Sequence, residues 1–514
     1  MFNIYNIFWS FIYHMSDKIN SYLNLEKQIE QISHLSNIAS LAHWDSATML
    51  KSGSARARQA EMATLESLIH EMSISQKIGD LIEEALFESD FLDDWQKANL
   101  QLIKKSYEEE LCITPEMKRE FSIASSESEF IWRDCRAKND FKTLIPYLDR
   151  VFQASIQIAT VKSQKLGKPI YDSLVDSYDP GREVSEIDNV YKVLKIELPR
   201  LIAKISEKQS FEKLIKLTKP IDENTQKSIG IKVLEKMGFD LNRGRLDKST
   251  HPFCIGGRFD VRLTTRYDDS NFLSSLFGVI HETGHGLYQQ NLPEKYIHQP
   301  VGMAKGMAFH ESQSLIMEMQ ACTSIQFTEF IAKLLKDEFN FTGPEYLAEN
   351  LYKLMTRVRP SFIRVDADEV TYPLHVIMRF EIEQEIINGR IKAIDLPEIW
   401  NSKMKEYLDI IPDSYSNGCL QDIHWPAGML GYFPSYTNGA IVASMLMHRA
   451  KQQNTNIDNE LSKGEFGGLN SYLNKNLREY GSLKSSKELL KESTNLEQID
   501  PMIFIDYLKN KYLY

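Results

Sequence analysis

The run His281-Glu282-Thr283-Gly284-His285 puts two imidazoles and a carboxylate within five residues. On a helix, residues four apart share a face. His281 and His285 can then aim ring nitrogens at one ion, while Glu282, one residue round, reaches a water bound to that ion. Zinc accepts such a geometry because its filled d shell imposes no directional demand. The bland alternative is two histidines satisfied by core hydrogen bonds beside a solvated glutamate. A catalytic zinc needs three protein ligands and one open position. A metzincin continuation would put glycine at 288 and histidine at 291, but the chain has Tyr288 and Asn291, which excludes that class. Downstream, "GMAFHESQSLIMEMQAC" is apolar and helix-like, with Glu311 and Glu318 seven residues apart and so on about the same face. A carboxylate there is costly to bury unless it is paired or metal-bound. Spacing leaves Glu311, Glu318 and the earlier Glu294 open as the third ligand; the local polarity of "HESQS" favours Glu311.

These residues need rigid carriers. Phe272, Leu273, Leu276, Phe277 and Ile280 before the histidines, and Leu287 after them, follow a helical period, with Asp269 or Ser270 as the expected cap. From Ser16 to about Lys236 the pattern is helical throughout. Met62, Leu65, Ile69 and Met72 form one apolar stripe and predict a packing helix. Thr114 can cap a helix that has Pro115 at its first position and Glu116 near the positive dipole end. "YDPGRE" at 178–183 is a turn. Val261 and Leu263 alternate with Arg262 and Thr264, which predicts a small antiparallel sheet near residues 250–267. Helix resumes at Asn271 and continues to the end, interrupted by the Gly-, Pro- and Tyr-rich stretch 412–439 and by a polar surface loop at 451–468. The expected architecture is mostly α, one large helical body over 15–514, with residues 1–14 an apolar extension and Met15 a possible true start. That extension lacks the basic lead and small-residue cleavage pattern of a signal peptide and is too short to span a bilayer.

A formal net charge of -11 over 514 residues disfavours a nucleic-acid partner, which needs a clustered excess of Lys and Arg. No segment reaches membrane-spanning length. Five scattered cysteines, odd in number and without a CxxC pair, read as small hydrophobes in a reducing cytoplasm.

The chain resembles the carboxypeptidase Taq family of zinc metallocarboxypeptidases through motifs in order: "HWDSATML" around Trp44 and Asp45, "HPF" at 251–253, "DVRLT" at 260–264, "HETGH", "HESQS" at 310–314, "IRVDAD" at 363–368 and "GCLQDIHW" at 418–425. The resemblance implies a mostly helical fold with a long deep groove, a homodimer, and release of C-terminal amino acids from peptides. It makes His281, His285 and Glu311 the ligands of one Zn2+ per chain, with Co2+ a possible substitute, and Glu282 the general base. Glu318 becomes a supporting carboxylate.

A C-terminal exopeptidase must hold a free carboxylate, for which the planar fork of arginine is suited. Arg364 and Arg262 are the candidates, each with an alternative partner in a nearby aspartate, Asp366 or Asp260. The resemblance assigns His251, Asp260, Arg262 and Thr264 to the closed end of the groove. Gln421 and Asp422 join the substrate-binding set, and His424 or Tyr432 could donate to a developing oxyanion. Two rivals are a helical zinc oligopeptidase or endopeptidase and a catalytically inactive peptide-binding scaffold.

Overall fold

The computed structural model describes residues 19–514, so the expected extension 1–14 and Met15 lie outside the described residues. The first half is a run of helices: α1 Asn20–Thr48, α2 Ala55–Ser73, α3 Gln76–Phe87, α4 Asp94–Leu111, α5 Pro115–Lys138, α6 Phe141–Leu166, α7 Ile170–Asp176, α8 Val184–Ser210 and α9 Glu223–Lys236. A sheet follows, with strands β1 Gly244–Lys248, β2 Cys254–Gly257 and β3 Asp260–Thr265. Then come α10 Phe272–Gln290, α11 Gly306–Leu315, α12 Ile325–Phe339, α13 Ala348–Met355, α14 Tyr372–Ile387, α15 Leu396–Leu408, α16 Pro434–Gln453, α17 Ile457–Leu461, α18 Gly467–Asn476, α19 Ser486–Thr494 and α20 Pro501–Tyr512.

The expected caps are partly those observed. Thr114 accepts from the Met117 amide, and Pro115 opens α5. For α10 the cap is Asn271, which accepts from Ser274, because Asp268 already holds the Ser270 amide and hydroxyl in the turn before it. The main core joins residues from Trp132 to Tyr512, including Phe272, Leu276, Val279, Ile280 and Leu287 of α10. A smaller core is built by Ile19, Tyr22 and Leu25, Ile78 and Ile82, and Leu100 and Ile103. The α2 helix is present, but its apolar stripe is only half-buried, since α2 packs chiefly on α1.

The expected hairpin is β2–β3, antiparallel, with Val261 and Leu263 buried. The sheet as a whole is mixed, in order β1-β3-β2, because β1 lies parallel to β3 on its other edge. The chain leaves β1, runs through β2, and returns as β3 between them, so a strand makes the crossover that parallel neighbours require. The stretch from 412 is irregular only to Phe433, since Pro434 opens α16. The supposed loop 451–468 holds α17, anchored by the buried Ile457, Leu461 and Phe466. All five cysteines are free. Among the described residues, no helix is long and apolar enough to cross a membrane.

Candidate metal centre

Helix α10 carries His281, Glu282 and His285, and α11 carries Glu311. Two glycines let the helices approach. A Cβ on Gly284 would stand 2.6 Å from the Cα of Ser314 in α11, and one on Gly439 of α16 would stand 2.8 Å from the Cβ of Glu311. Helix α11 is thus held against α10 through Gln313 and Ser314, and the Glu311 side chain against α16 through Gly439.

The Nε2 atoms of His285 and His281 lie 3.5 and 3.9 Å from the two oxygens of Glu311, and a donor atom from each of the three lies within 4.8 Å of the others. The opposite ring nitrogens are tied down. Nδ1 of His281 is 2.7 Å from Oε2 of Glu318, and Nδ1 of His285 donates to the carbonyl of His310 at 3.1 Å. With each Nδ1 engaged, each Nε2 is turned toward Glu311, the orientation metal-binding imidazoles use. The His310 ring reinforces this, with its Nδ1 2.7 Å from Nδ1 of His285.

Charge is unbalanced here. Burial opposes a proton on His281, yet its hydrogen bond to Glu318 and the charges of Glu318, Glu311 and Glu282 outweigh that and push it up to about 10. Glu311 is held below its ordinary value, since the hydrogen bond from His285 and the surrounding histidines overcome its burial. Burial pushes Glu282 up. Its carboxylate makes no hydrogen bond to any other described residue, and it lies near Cys254 of β2, whose thiol is raised by burial and then by Glu282. The donor set fits a divalent cation: three carboxylates face two imidazoles, and the side chains grade from 6% exposed at Glu311 to 24% at His281, so one flank stays open. Glu294 lies outside this group, exposed and paired with Arg258 at 3.3 Å.

Three of the other motifs converge where α1 meets the sheet. The Trp44 indole lies within cation–π range of two arginines, Arg262 at 4.2 Å and Arg245 at 4.9 Å. Arg262 is also forked onto Asp260, with donor distances of 3.0 to 3.2 Å. The buried Thr264 hydroxyl accepts from the Phe253 amide at 3.0 Å and from Ser249 at 2.8 Å, which pins the "HPF" loop to β3. His251 is exposed, its basicity lowered by partial desolvation and by the arginines at 266, 136 and 133.

The last two motifs form a buried ionic cluster. Arg364 pairs with Asp422, not with Asp366: the guanidinium turns inward while Asp366, two residues on in the same short turn, is exposed. Asp422 also accepts from Arg379 at 2.7 Å, and the oxygen of Gln421 takes the Arg364 amide and an Arg379 N–H, each at 2.8 Å. The two arginines overcome burial and hold Asp422 far below the usual carboxylate range. His424 lies 3.0 Å from the Tyr436 hydroxyl and is driven down to about 3 by burial and Arg364. The Tyr432 ring lies 5.1 Å from Tyr436, and the Glu311 charge is felt by Tyr432, Tyr436 and Tyr372, so these tyrosines stand between the two clusters.

Arg379, Tyr436, Tyr372 and His310 are the participants that sequence reasoning missed. His310 sits beside Glu311 in "HESQS" and could have been suspected. Arg379 lies mid-helix in an apolar run, where a buried charge itself signals a partner.

The chain matches the profile described as "Carboxypeptidase Taq (M32) metallopeptidase" over residues 24–512. It is 33% identical over 485 residues to "Carboxypeptidase 1" of Bacillus subtilis, covering 94% of this chain and 96% of that one. It is 32% identical to "Thermostable carboxypeptidase 1" of Pyrococcus furiosus, covering 97% and 99%. Among solved structures, "Trypanosoma Cruzi Metallocarboxypeptidase 1" superposes with a TM-score of 0.94 at 35% identity, covering 96% of this chain and 100% of that one.

Proposed function

The chain belongs to the carboxypeptidase Taq (M32) metallopeptidase family and is a metallocarboxypeptidase, a hydrolase of peptides that uses a divalent metal; from this premise we propose that His281, His285 and Glu311 hold one Zn2+, with Co2+ accepted in its place, and that Glu282 is the general base. The observation that carries the assignment is the pair of Nε2 atoms facing Glu311, each backed by a fixed Nδ1 bond. A divalent cation in that position supplies Lewis acidity, making a water more acidic and a carbonyl more electrophilic. Glu282 does the proton work. Its carboxylate is buried and makes no hydrogen bond among the described residues, so it can take the proton of the attacking water and return it to the leaving amine.

The second cluster suits the substrate's C-terminal carboxylate, since two guanidiniums share the single carboxylate of Asp422 and one positive charge is left over. Arg364 is our candidate for that contact. Arg262, engaged by Asp260 and Trp44, joins His251, Asp260 and Thr264 in shaping the end of a long groove. Gln421 and Asp422 orient the arginines, and Tyr432 or His424 can donate to the developing oxyanion. We extend the reading to a homodimer, which sedimentation measures directly, and to the cytoplasm, in keeping with five free thiols.

The test is a pair of peptides identical but for a free or an amidated C-terminus. Residue-by-residue release from the free acid, with the amide untouched, is expected. Internal cleavage of both would replace the reading with an endopeptidase, and no hydrolysis by the zinc-loaded chain would leave a peptide-binding scaffold.

A further inference from the structure

A second group of nitrogen and oxygen donors meets well away from Glu311. Glu30 and His34 lie one turn apart on α1, with His34 Nε2 3.9 Å from a Glu30 oxygen. His298 comes from the loop that joins α10 to α11, and its ring stands edge-on to that of His34, with centroids 4.5 Å apart and planes at 81°. One donor atom from each of the three residues lies within 4.8 Å of the other two. Nδ1 of His298 lies 3.4 Å from the Ser33 hydroxyl, and its other ring nitrogen makes no hydrogen bond among the described residues.

The loop that brings His298 here is fixed. The next residue, Gln299, is buried; its amide donates to the carbonyl of Glu26, one helical turn before Glu30, and its oxygen accepts from the buried Asn99 at 3.0 Å. Asn99 in turn accepts from the Val301 amide at 3.2 Å, and on the other side Tyr296 is stacked on Trp95 at 4.9 Å. His298 is therefore delivered to α1 by anchors on both sides, before any ion is considered.

We propose that Glu30, His34 and His298 form a second divalent-cation site, selective for the zinc, cobalt and nickel class. Two imidazoles and one carboxylate suit those borderline ions better than calcium or magnesium, which prefer all-oxygen shells. With Glu30 and His34 about half exposed, water completes the coordination and the affinity falls below that of the buried centre. A cation here clamps α1, whose far end carries Trp44, to the loop between the two helices that bear His281, His285 and Glu311.

The experiment is equilibrium dialysis of the full chain against Zn2+ alone, with bound metal counted by mass spectrometry. Two equivalents are expected for the natural chain, one for His298→Ala, one for His281→Ala/His285→Ala, and none for the three substitutions combined. His34→Gln should match His298→Ala, and both should keep full peptidase activity with the first equivalent bound, which separates lost coordination from a folding defect. Equal zinc content in the natural chain and His298→Ala overturns the proposal, as does a residual ion in His281→Ala/His285→Ala that survives replacement of His298. If instead the buried centre were the one that failed, the natural chain would hold a single ion, removed by His298→Ala and unaffected by His281→Ala.

Discussion

Around His281, His285 and Glu311 three carboxylates face two imidazoles, whereas around Asp422 two guanidiniums share one carboxylate. The groups of the second cluster touch: Arg364 and Arg379 reach Asp422 at 2.7 to 3.1 Å, hydrogen-bond range. In the first, Glu318 touches the outer nitrogen of His281 at 2.7 Å, but the three groups that face inward hold apart. Glu311 stays 3.5 and 3.9 Å from the two Nε2 atoms, close to the ~3.3 Å that separates two ligands on one zinc with ~2.0 Å bonds. A buried charge must be compensated; one cluster is tied together by its own hydrogen bonds and keeps one positive charge over, while the other is spaced for a cation from outside. The difference separates a framework of charge from a receptor for it.

Removing a group from each cluster should therefore have different results. Glu311→Ala should lose both bound metal and turnover, read by metal analysis and peptide hydrolysis; stoichiometric metal in that variant would erase the contrast. Glu282→Gln should keep the metal and lower kcat by about 10²–10⁴, and normal turnover there would reject the proton role. Asp422→Ala should instead act on stability, costing about 3–5 kcal/mol by leaving two buried guanidiniums uncompensated, as chemical denaturation would register. Because the Asp422 carboxyl is depressed in the fold, that contribution is complete at neutral pH and declines only as the solution drops below the unfolded aspartate value near ~4. A stability difference between natural and variant chains that persisted unchanged into strong acid would contradict this. Glu318→Gln should weaken metal binding about 10–100-fold, the usual loss when the partner of a ligating histidine is removed, with the fold intact by circular dichroism. Trp44→Leu should be mildest, about 1–2 kcal/mol, since leucine keeps part of the buried apolar surface while the two cation–π contacts are lost.

What the sequence made legible follows the range of the interaction. The His281–His285 pair and the β2–β3 hairpin are local patterns, and both are present. Glu311 and Glu318 could not be separated by spacing, because α11 passes into a π-helical turn over Ile316–Cys322 that re-aims Glu318 at the far nitrogen of His281. Asp366, two residues away, is the alternative partner the sequence offers for Arg364, yet the aspartate that pairs with it lies 58 residues downstream in an irregular segment whose path no periodicity encodes. For the same reason β1 went unread: a five-residue strand with a parallel neighbour has no hairpin turn to announce it.

The helix that carries Glu311 is seated with Gln313 and Ser314 against Gly284 on one side and Glu311 itself against Gly439 on the other. A chain still emerging from the ribosome acquires its histidine pair first, its glutamate next, and the wall behind that glutamate only after most of the polypeptide has been made. The packing that seats the glutamate is thus completed only when translation has passed Gly439.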